Sequence, residues 1–250
     1  MYRYFSEYYD LIMADVEYEE WIGYLQQLIE LSETKVESVL ELGCGTGNVL
    51  LELERQLDFK LMVGLDESFE MVNRARNKAL QCDSRCRFLV SRMQSFCLNR
   101  RFDLILCLFD TLNYLIDEHS LRQTLVNTYR SLSDRKLLIF DTITMRKLQN
   151  LFPGGSLGKD NGDWAYIWES QCLQLNKIYN IKSTFFQRSE GKTFFKHVEN
   201  HAKRIYTIDE LKTVLTEMNF EILGIYDAYK FKIPDERSER VFFLCRKGGF

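Results

Sequence analysis

Short apolar runs alternate with segments of helical period along the first 140 residues of this chain. Each run has the length of a strand, and the segments between them place apolar side chains three or four residues apart, as amphipathic helices do. Strands that alternate with helices predict a parallel sheet with helices on both faces. The predicted fold class is α/β, with a doubly wound, mostly parallel sheet. The apolar runs are Val39–Leu42, Leu61–Leu65, Phe88–Val90, Phe102–Phe109 and Leu137–Phe140.

The pattern changes in the second half of the chain, where aromatic and β-branched residues dominate several strand-like segments. We predict an antiparallel β insertion over residues 163–206, before the last helix. Thr207 and Glu210 have the spacing of a capping box and open that helix. Residues 1–35 are expected to form a helical cap ahead of the first strand.

Charge and hydropathy exclude several classes of protein. The formal net charge is -3, with 33 Lys and Arg against 36 Asp and Glu, whereas affinity for nucleic acid depends mainly on an excess of cations. No apolar stretch approaches the roughly 20 residues that span a bilayer, and the amino terminus lacks a signal-peptide core. Seven cysteines without framework spacing suit reduced thiols. We expect a cytoplasmic protein of one domain, residues 1–250, with no nucleic-acid or membrane partner.

The turn after the first strand carries three glycines in five positions, Gly43, Gly45 and Gly47. Glycine between a strand and a helix lets the backbone approach a ligand that a Cβ atom would obstruct. Asp66 ends the second strand, where a carboxylate can accept hydrogen bonds from both hydroxyls of a ribose. The turn and the acid together predict a nucleotide-type cofactor site.

Two cofactor classes compete for this site. A dinucleotide brings a pyrophosphate, which favours Gly-x-Gly-x-x-Gly spacing and a helix amino terminus without acids. Here the third glycine comes one residue early and Glu41 precedes the turn. S-adenosylmethionine carries an ammonium and a sulfonium but no phosphate, so a nearby carboxylate favours it. An NAD(P)-dependent oxidoreductase stays open as the alternative.

With these residues, the chain resembles the class I, seven-stranded methyltransferases that use S-adenosyl-L-methionine. Residues 41–47 (Glu-Leu-Gly-Cys-Gly-Thr-Gly) look like their first motif, and residues 64–71 look like their second. The resemblance implies a Rossmann-like sheet of seven strands and S-adenosyl-L-methionine as the cofactor.

The chain is similar, more narrowly, to a bacterial group of methyltransferases that act on small molecules. This resemblance spans nearly the whole chain. Its marks are Tyr9-Asp10, residues 109–114 (Phe-Asp-Thr-Leu-Asn-Tyr) and the pattern Glu199-x-His201-x-x-Arg204-x-Tyr206.

The resemblance also assigns roles to residues. It implies that Gly43 and Gly45 approach the methionine part of the cofactor, that Asp66 binds the ribose and that Met71 packs near the adenine. Tyr9 is expected in an amino-terminal segment that covers the cofactor. The full set of expected cofactor-binding residues is Tyr9, Glu41, Gly43, Gly45, Asn48, Asp66, Glu67, Met71, Met93, Gln94 and Phe109.

One position departs from the family pattern. Arg92 stands where such enzymes offer an Asp to the adenine amino group, and an arginine has only donors. Either the Met93 backbone or the Gln94 carbonyl takes over that contact, or the affinity for the cofactor is reduced.

Candidate residues for the methyl acceptor come from two segments. Asp110 and Asn113 follow the fourth strand, where α/β sheets bind ligands. They can orient or deprotonate an acceptor, and a role of Asp110 in fixing the loop is equally open. His201 is a candidate for binding the acceptor or accepting its proton.

No metal site is expected. His197, Glu199 and His201 share one face of a strand, but two histidines and a carboxylate are more typical of a hydrogen-bonded surface. Residues 154–162, which are rich in glycine, are predicted to form a mobile connection at the mouth of the site.

The sequence thus predicts a methyltransferase that transfers a methyl group from S-adenosylmethionine to a small-molecule acceptor. A non-catalytic S-adenosylmethionine-binding protein is a further alternative because of Arg92. A monomer and a homodimer are both compatible with the sequence.

Overall fold

The computed structural model describes residues 6–174, 177–189 and 191–249. Its helices are α1 (Ser6–Ile12), α2 (Tyr18–Leu31), α3 (Asn48–Gln56), α4 (Phe69–Gln81), α5 (Glu118–Ser131), α6 (Met145–Leu151) and α7 (Ile208–Glu217). Its strands are β1 (Ser38–Leu42), β2 (Leu61–Asp66), β3 (Arg87–Val90), β4 (Phe102–Cys107), β5 (Leu132–Ile143), β6 (Ser156–Asp160), β7 (Trp164–Gln174), β8 (Ile178–Arg188), β9 (Phe194–Arg204), β10 (Phe220–Asp227) and β11 (Arg240–Lys247).

The main sheet has seven strands in the order β10-β11-β5-β4-β1-β2-β3. The five strands from β3 to β5 are parallel, and β11 is antiparallel to both β5 and β10. The predicted fold class is therefore confirmed. The chain order reverses between β1 and β4, and ligands of such sheets bind in the crevice at the carboxyl ends of the strands there.

The central strands are apolar on both faces because each face is covered by helices. On β1, Val39 packs with the helices α2, α3 and α4, whereas Leu40 packs on the other face with α5 and α7. The predicted capping box is also confirmed, since Thr207 and Glu210 form it at the start of α7. At the start of α5, Asp117 caps the helix by accepting a hydrogen bond from the Ser120 amide.

The insertion is a second sheet of four antiparallel strands in the order β6-β7-β8-β9. It begins at Ser156, before the boundary at residue 163 that the sequence suggested. The register pairs Ser170 with Ile181 and Ile181 with His201, so these three side chains share one face. This inner face lies against the carboxyl ends of the main sheet, while Ile167 belongs to the opposite, outer face.

Residues 154–162 differ from the sequence expectation of a mobile connection. Five of them, Ser156–Asp160, form the edge strand β6 and pair with β7. Backbone pairing along a whole strand explains the difference, since glycine at Gly158 allows the close approach of the Tyr166 carbonyl. None of residues 154–162 lines the two pockets described below.

Helix α1 connects the glycine turn to the insertion. Asp10 accepts hydrogen bonds from Thr46, Asn48 and Lys78, so one side of α1 is fixed to the turn. The ring of Tyr8 stacks on Phe185 of β8 with centroids 3.7 Å apart. The expected cap of residues 1–35 thus includes α1 and α2, and its first five residues lie outside those described.

The helices that the structure describes are all too short or too polar to cross a lipid bilayer.

Candidate functional site

A first pocket lies at the carboxyl ends of β1, β2 and β4 and encloses about 1130 Å³, including its open mouth. Every residue that the sequence assigned to cofactor binding lines it. The lining residues are Tyr9, Tyr18, Glu41, Gly43, Cys44, Gly45, Thr46, Asn48, Val49, Asp66, Glu67, Met71, Ser91, Met93, Gln94, Leu108, Phe109, Thr111 and Tyr114.

Glycine occupies the three positions of the turn for different physical reasons. All three have left-handed backbones, with φ of +71° at Gly43, +53° at Gly45 and +81° at Gly47. A Cβ atom on Gly43 would lie 2.3 Å from the methyl group of Thr111, and one on Gly47 would lie 2.7 Å from the ring of Phe88. At Gly45 the nearest atom is 3.9 Å away, on Tyr9. Only Gly45 therefore leaves open space beside the pocket, while the other two glycines are required by packing.

Glu41 is a buried carboxyl group at the end of β1. Its side chain is 3% exposed, and among the described residues no group donates a hydrogen bond to its Oε2 atom. Burial, together with the nearby charge of Asp66, raises the pKa of Glu41 to about 8. A buried acceptor without a donor fits a cationic ligand group such as an ammonium.

Asp66 is held rigidly at the opposite side of the turn. Its Oδ2 accepts a hydrogen bond from the Gly45 amide at 2.9 Å, and its Oδ1 accepts one from the Ser68 amide at 2.8 Å. Burial raises its pKa, and these two backbone donors oppose that effect. Each carboxylate oxygen keeps lone pairs for further donors, as a ribose requires.

Arg92 does not enter the first pocket. Its side chain is 74% exposed, and its Nε lies 3.7 Å from Oε2 of Glu67. Its neighbours Ser91, Met93 and Gln94 line the pocket instead. The Gln94 carbonyl, one of the expected substitutes for the missing acid, accepts a hydrogen bond from Asn127 at 2.8 Å.

Asn48 lines the first pocket, but its side-chain amide forms hydrogen bonds with other residues of the protein. Its Nδ2 donates to Asp10 at 3.1 Å and to the hydroxyl of Tyr18 at 2.9 Å, and its Oδ1 accepts from Lys78. Asn48 therefore fixes α1 to the glycine turn.

A second pocket adjoins the first and shares three lining residues with it, Tyr9, Phe109 and Tyr114. It lies between α1, α6 and the inner face of the insertion, and encloses about 940 Å³ including its mouth. Its lining residues are Tyr9, Ile12, Met13, Phe109, Asp110, Tyr114, Ile143, Lys147, Leu148, Leu151, Phe152, Trp168, Ile181, Ser183, His201, Lys203 and Arg240.

Asp110 lines the second pocket next to Phe109 and is the centre of a buried ion network. Its Oδ2 contacts Nζ of Lys203, and its Oδ1 accepts from Arg240 at 2.9 Å. Arg240 also binds the fully buried Asp141. Burial alone would raise the pKa of Asp110, but the two cations hold it below its usual value. The expectation that Asp110 deprotonates an acceptor is not favoured, because a carboxylate held in its charged form by two cations is a weak base.

The position of Asn113 differs from the sequence expectation that its side chain orients or deprotonates an acceptor. It is fully buried and lies outside both pockets. Its Nδ2 donates to the Arg204 carbonyl at 2.7 Å, and its Oδ1 accepts from the Thr142 hydroxyl at 3.1 Å and the Ile143 amide at 3.2 Å. Asn113 thus joins the turn after β4 to β5 and β9, and its side chain faces neither pocket.

His201 lines the second pocket and is buried. Burial lowers its pKa to about 4, so the ring is neutral at physiological pH. Its Nε2 lies 3.6 Å from Oε2 of Glu199, which shares its strand face together with His197. Among the described residues, no cluster of three His, Cys, Asp or Glu side chains has an arrangement that could hold a metal ion.

Several pocket residues had no role in the sequence prediction. Lys203 lies on the same strand face as His201, and their spacing of two residues in the sequence could have predicted this. Arg240 and Asp141 meet only because β11 pairs with β5, which no local motif indicates. Conversely, Arg204 and Tyr206 of the quoted pattern are structural, since Arg204 binds Glu210 and stacks on the Tyr206 ring.

Comparisons with known proteins agree with this geometry. Residues 39–135 match a family model described as a methyltransferase domain. A Geobacillus sp. (strain WCH70) protein named as a putative methyltransferase is 31% identical, with 98% of this chain and 99% of that protein covered.

The chain belongs to the class I S-adenosylmethionine-dependent methyltransferases. A solved S-adenosylmethionine-dependent methyltransferase from Clostridium acetobutylicum ATCC 824 superposes with a TM-score of 0.86 at 28% identity, covering 97% of this chain and 96% of the other. An amino pentose methyltransferase from Micromonospora echinaspora, solved with S-adenosylmethionine bound, gives 0.70 at 15% identity, covering 94% and 93%, and shows the shared fold alone.

Family membership decides between the alternatives that the sequence left open. The protein is an S-adenosylmethionine-dependent methyltransferase and not an NAD(P)-dependent oxidoreductase. The residues of the first pocket fit this cofactor, because Glu41 offers a buried carboxyl without a donor and Gly45 leaves open space.

Proposed function

We propose that this methyltransferase transfers a methyl group from S-adenosylmethionine in the first pocket to a small molecule in the second pocket. The observation that carries the proposal is the wall that the two pockets share, formed by Tyr9, Phe109 and Tyr114. Methyl transfer needs the donor and the acceptor in line and in contact. A second cavity that adjoins the first at these three residues supports an acceptor of small size. The amino pentose methyltransferase that shares the fold also acts on a small molecule.

In this proposal the first pocket binds the cofactor by complementary charge and shape. Glu41 pairs with the ammonium group, and the methionine part passes Gly43 and Gly45. Asp66 and Glu67 accept hydrogen bonds from the ribose hydroxyls. Tyr9 covers the cofactor from α1. The adenine of the cofactor lies among Met71, Met93 and Gln94.

The cofactor supplies a methyl group that is already activated on a positively charged sulfur. The work of the protein is therefore to position the acceptor and to exclude water. Tyr9, Phe109 and Tyr114 line both pockets where these adjoin, and aromatic groups suit a neighbouring cation.

His201 is proposed to orient an acceptor that carries O–H or N–H. It lines the second pocket and is neutral at physiological pH, so one ring nitrogen is able to accept a hydrogen bond from the acceptor. Asp110 has the different role of holding Lys203 and Arg240 in place.

The experiment is a screen for S-adenosylhomocysteine formation with the small-molecule filtrate of a lysate. Ile181→Trp fills the second pocket and should abolish acceptor-dependent product while leaving cofactor affinity unchanged. Ile167→Trp, on the outer face of the same sheet, is the matched control and should retain activity. Turnover only with the macromolecular fraction, or full activity of Ile181→Trp, would overturn the proposal.

A further inference from the structure

The charged groups that face the second pocket are mostly cationic. Among its lining residues in the described chain, Lys147, Lys203 and Arg240 carry positive charge, and Asp110 is the one carboxylate. The other acidic neighbours do not line the cavity. This excess of cations over carboxylates in the lining points to the charge of the acceptor.

The remaining acids compensate the cations from outside the cavity. Asp141 is fully buried and contacts Arg240 from behind. Glu239 pairs with Lys147 at 2.9 Å, is itself 39% exposed and is screened by solvent at the outer rim. Glu199 adjoins His201. A molecule inside the pocket therefore meets the cationic heads more directly than the acids behind them.

Lys203 and Arg240 lie at a different end of the pocket from most of its apolar surface, whereas Lys147 lies on α6 beside that surface. Asp110 directly follows Phe109 of the shared wall, and Nζ of Lys203 lies 4.7 Å from the centre of the Tyr114 ring. The polar end is thus the end next to the cofactor. The other end is formed by apolar side chains from α6, β7 and β8: Leu148, Leu151, Phe152, Trp168 and Ile181.

The cations at the polar end carry more N–H groups than their ion pairs use, since Asp110 and Asp141 engage one N–H of Lys203 and two of Arg240. Lysine and arginine side chains have donors and no acceptor. Lys203 and Arg240 therefore suit an oxygen group with many lone pairs, and they disfavour an acceptor that carries an ammonium at this end.

From this arrangement we infer that the methyl acceptor is an apolar carboxylic acid. Its carboxylate binds at Lys203 and Arg240, and its apolar body lies between α6 and the inner face of the insertion. This inference rests on the proposed function of the second pocket and adds the chemical class of its substrate.

The test is calorimetry on the full chain saturated with S-adenosylhomocysteine. Phenylacetate and octanoate are the carboxylate probes, their amides are the neutral controls, and phenyl phosphate tests the other common oxyanion. The wild-type protein should bind each carboxylate roughly tenfold more tightly than its amide.

Lys203→Met should remove this preference, and Lys196→Met is the matched control. Lys196 lies on the same strand but on the exposed outer face. Because Lys203→Met leaves Asp110 with one cation fewer, Lys203→Arg provides a second variant that keeps the cation and should keep the preference. S-adenosylhomocysteine affinity reports whether each variant is folded.

Equal affinity for carboxylates and amides, tighter binding of phenyl phosphate, or no detectable binding of the carboxylates would overturn the inference. So would a preference that survives in Lys203→Met. Failure of the proposed function has a different signature: the probes would still bind in Ile181→Trp, because the second pocket would not be where they lie.

Discussion

The backbone amide of Asp110 donates to the carboxylate of the fully buried Asp141 at 3.0 Å. Both Phe109 and Asp110 have left-handed backbones, with φ of +58° and +53°. Such conformations cost roughly 1–3 kcal/mol each and persist where the surroundings enforce them. Here Asp141 and Arg240 hold the turn, and the Phe109 ring stacks on Trp21 with centroids 4.0 Å apart. These contacts therefore hold Phe109 in its strained conformation, in the wall between the two pockets.

Arg240→Gln should lower the free energy of unfolding by about 3–5 kcal/mol, because it leaves two buried carboxylates without their shared cation. Arg240→Lys keeps the charge and should lose less. Urea unfolding with an unchanged m-value measures both effects. Lys147→Met removes a half-exposed ion pair and should stay within about 1 kcal/mol of the wild type. An Arg240→Gln protein as stable as Lys147→Met would show that the network does not hold the turn.

Glu41 should make cofactor binding depend on pH. In the ligand-free protein its pKa is raised to about 8, so the group is mostly protonated at pH 7. The ammonium of the ligand favours the carboxylate, so binding expels the proton, and affinity should rise as the pH increases towards 8. Calorimetry with S-adenosylhomocysteine in two buffers of different ionisation enthalpy should detect release of about one proton at pH 7.

Glu41→Gln is the control for this proton. It should bind S-adenosylhomocysteine more weakly by about 1.5–3 kcal/mol, the range for a hydrogen bond to a charged group, and should release no proton from this position. The same proton release from the variant would assign the effect to another group.

The cofactor site could be predicted from sequence because its residues lie in short segments at the ends of strands. Once strand and helix alternate, Glu41, Gly45 and Asp66 must meet at one edge of the sheet. The acceptor site could not be predicted to the same depth. Asp141 and Arg240 meet through strand pairing between distant segments. Asn113 lies in a single 3₁₀ turn, Thr111–Tyr114, and no sequence motif indicates that its side chain faces inward.

Substitution by alanine should affect stability at Gly47 and cofactor binding at Gly45. Gly47→Ala should lower the stability of the fold strongly, because the new Cβ would lie 2.7 Å from the Phe88 ring and 3.1 Å from Ala75. Gly45→Ala meets no close atom, so its stability cost should be limited to the left-handed backbone, about 1–2 kcal/mol. Its methyl group would instead occupy space beside the first pocket and weaken cofactor binding.

Thermal unfolding and cofactor calorimetry on the same samples separate these effects. The expected ratio of binding loss to stability loss is larger for Gly45→Ala than for Gly47→Ala. If Gly45→Ala binds S-adenosylhomocysteine as tightly as the wild type, the ligand does not pass this residue.

Arg92→Asp should tighten S-adenosylmethionine binding by about 1 kcal/mol, the worth of one added hydrogen bond. Arg92 lies outside the pocket beside Glu67, while Ser91 and Met93 on either side line it. An aspartate at this position would supply the acceptor that an arginine lacks for the adenine amino group. Arg92→Ala is the matched control, because it removes the cation next to Glu67 without adding an acceptor. Calorimetry gives the dissociation constants. Equal values for the two variants would contradict the prediction, as would a larger value for Arg92→Asp than for the wild type.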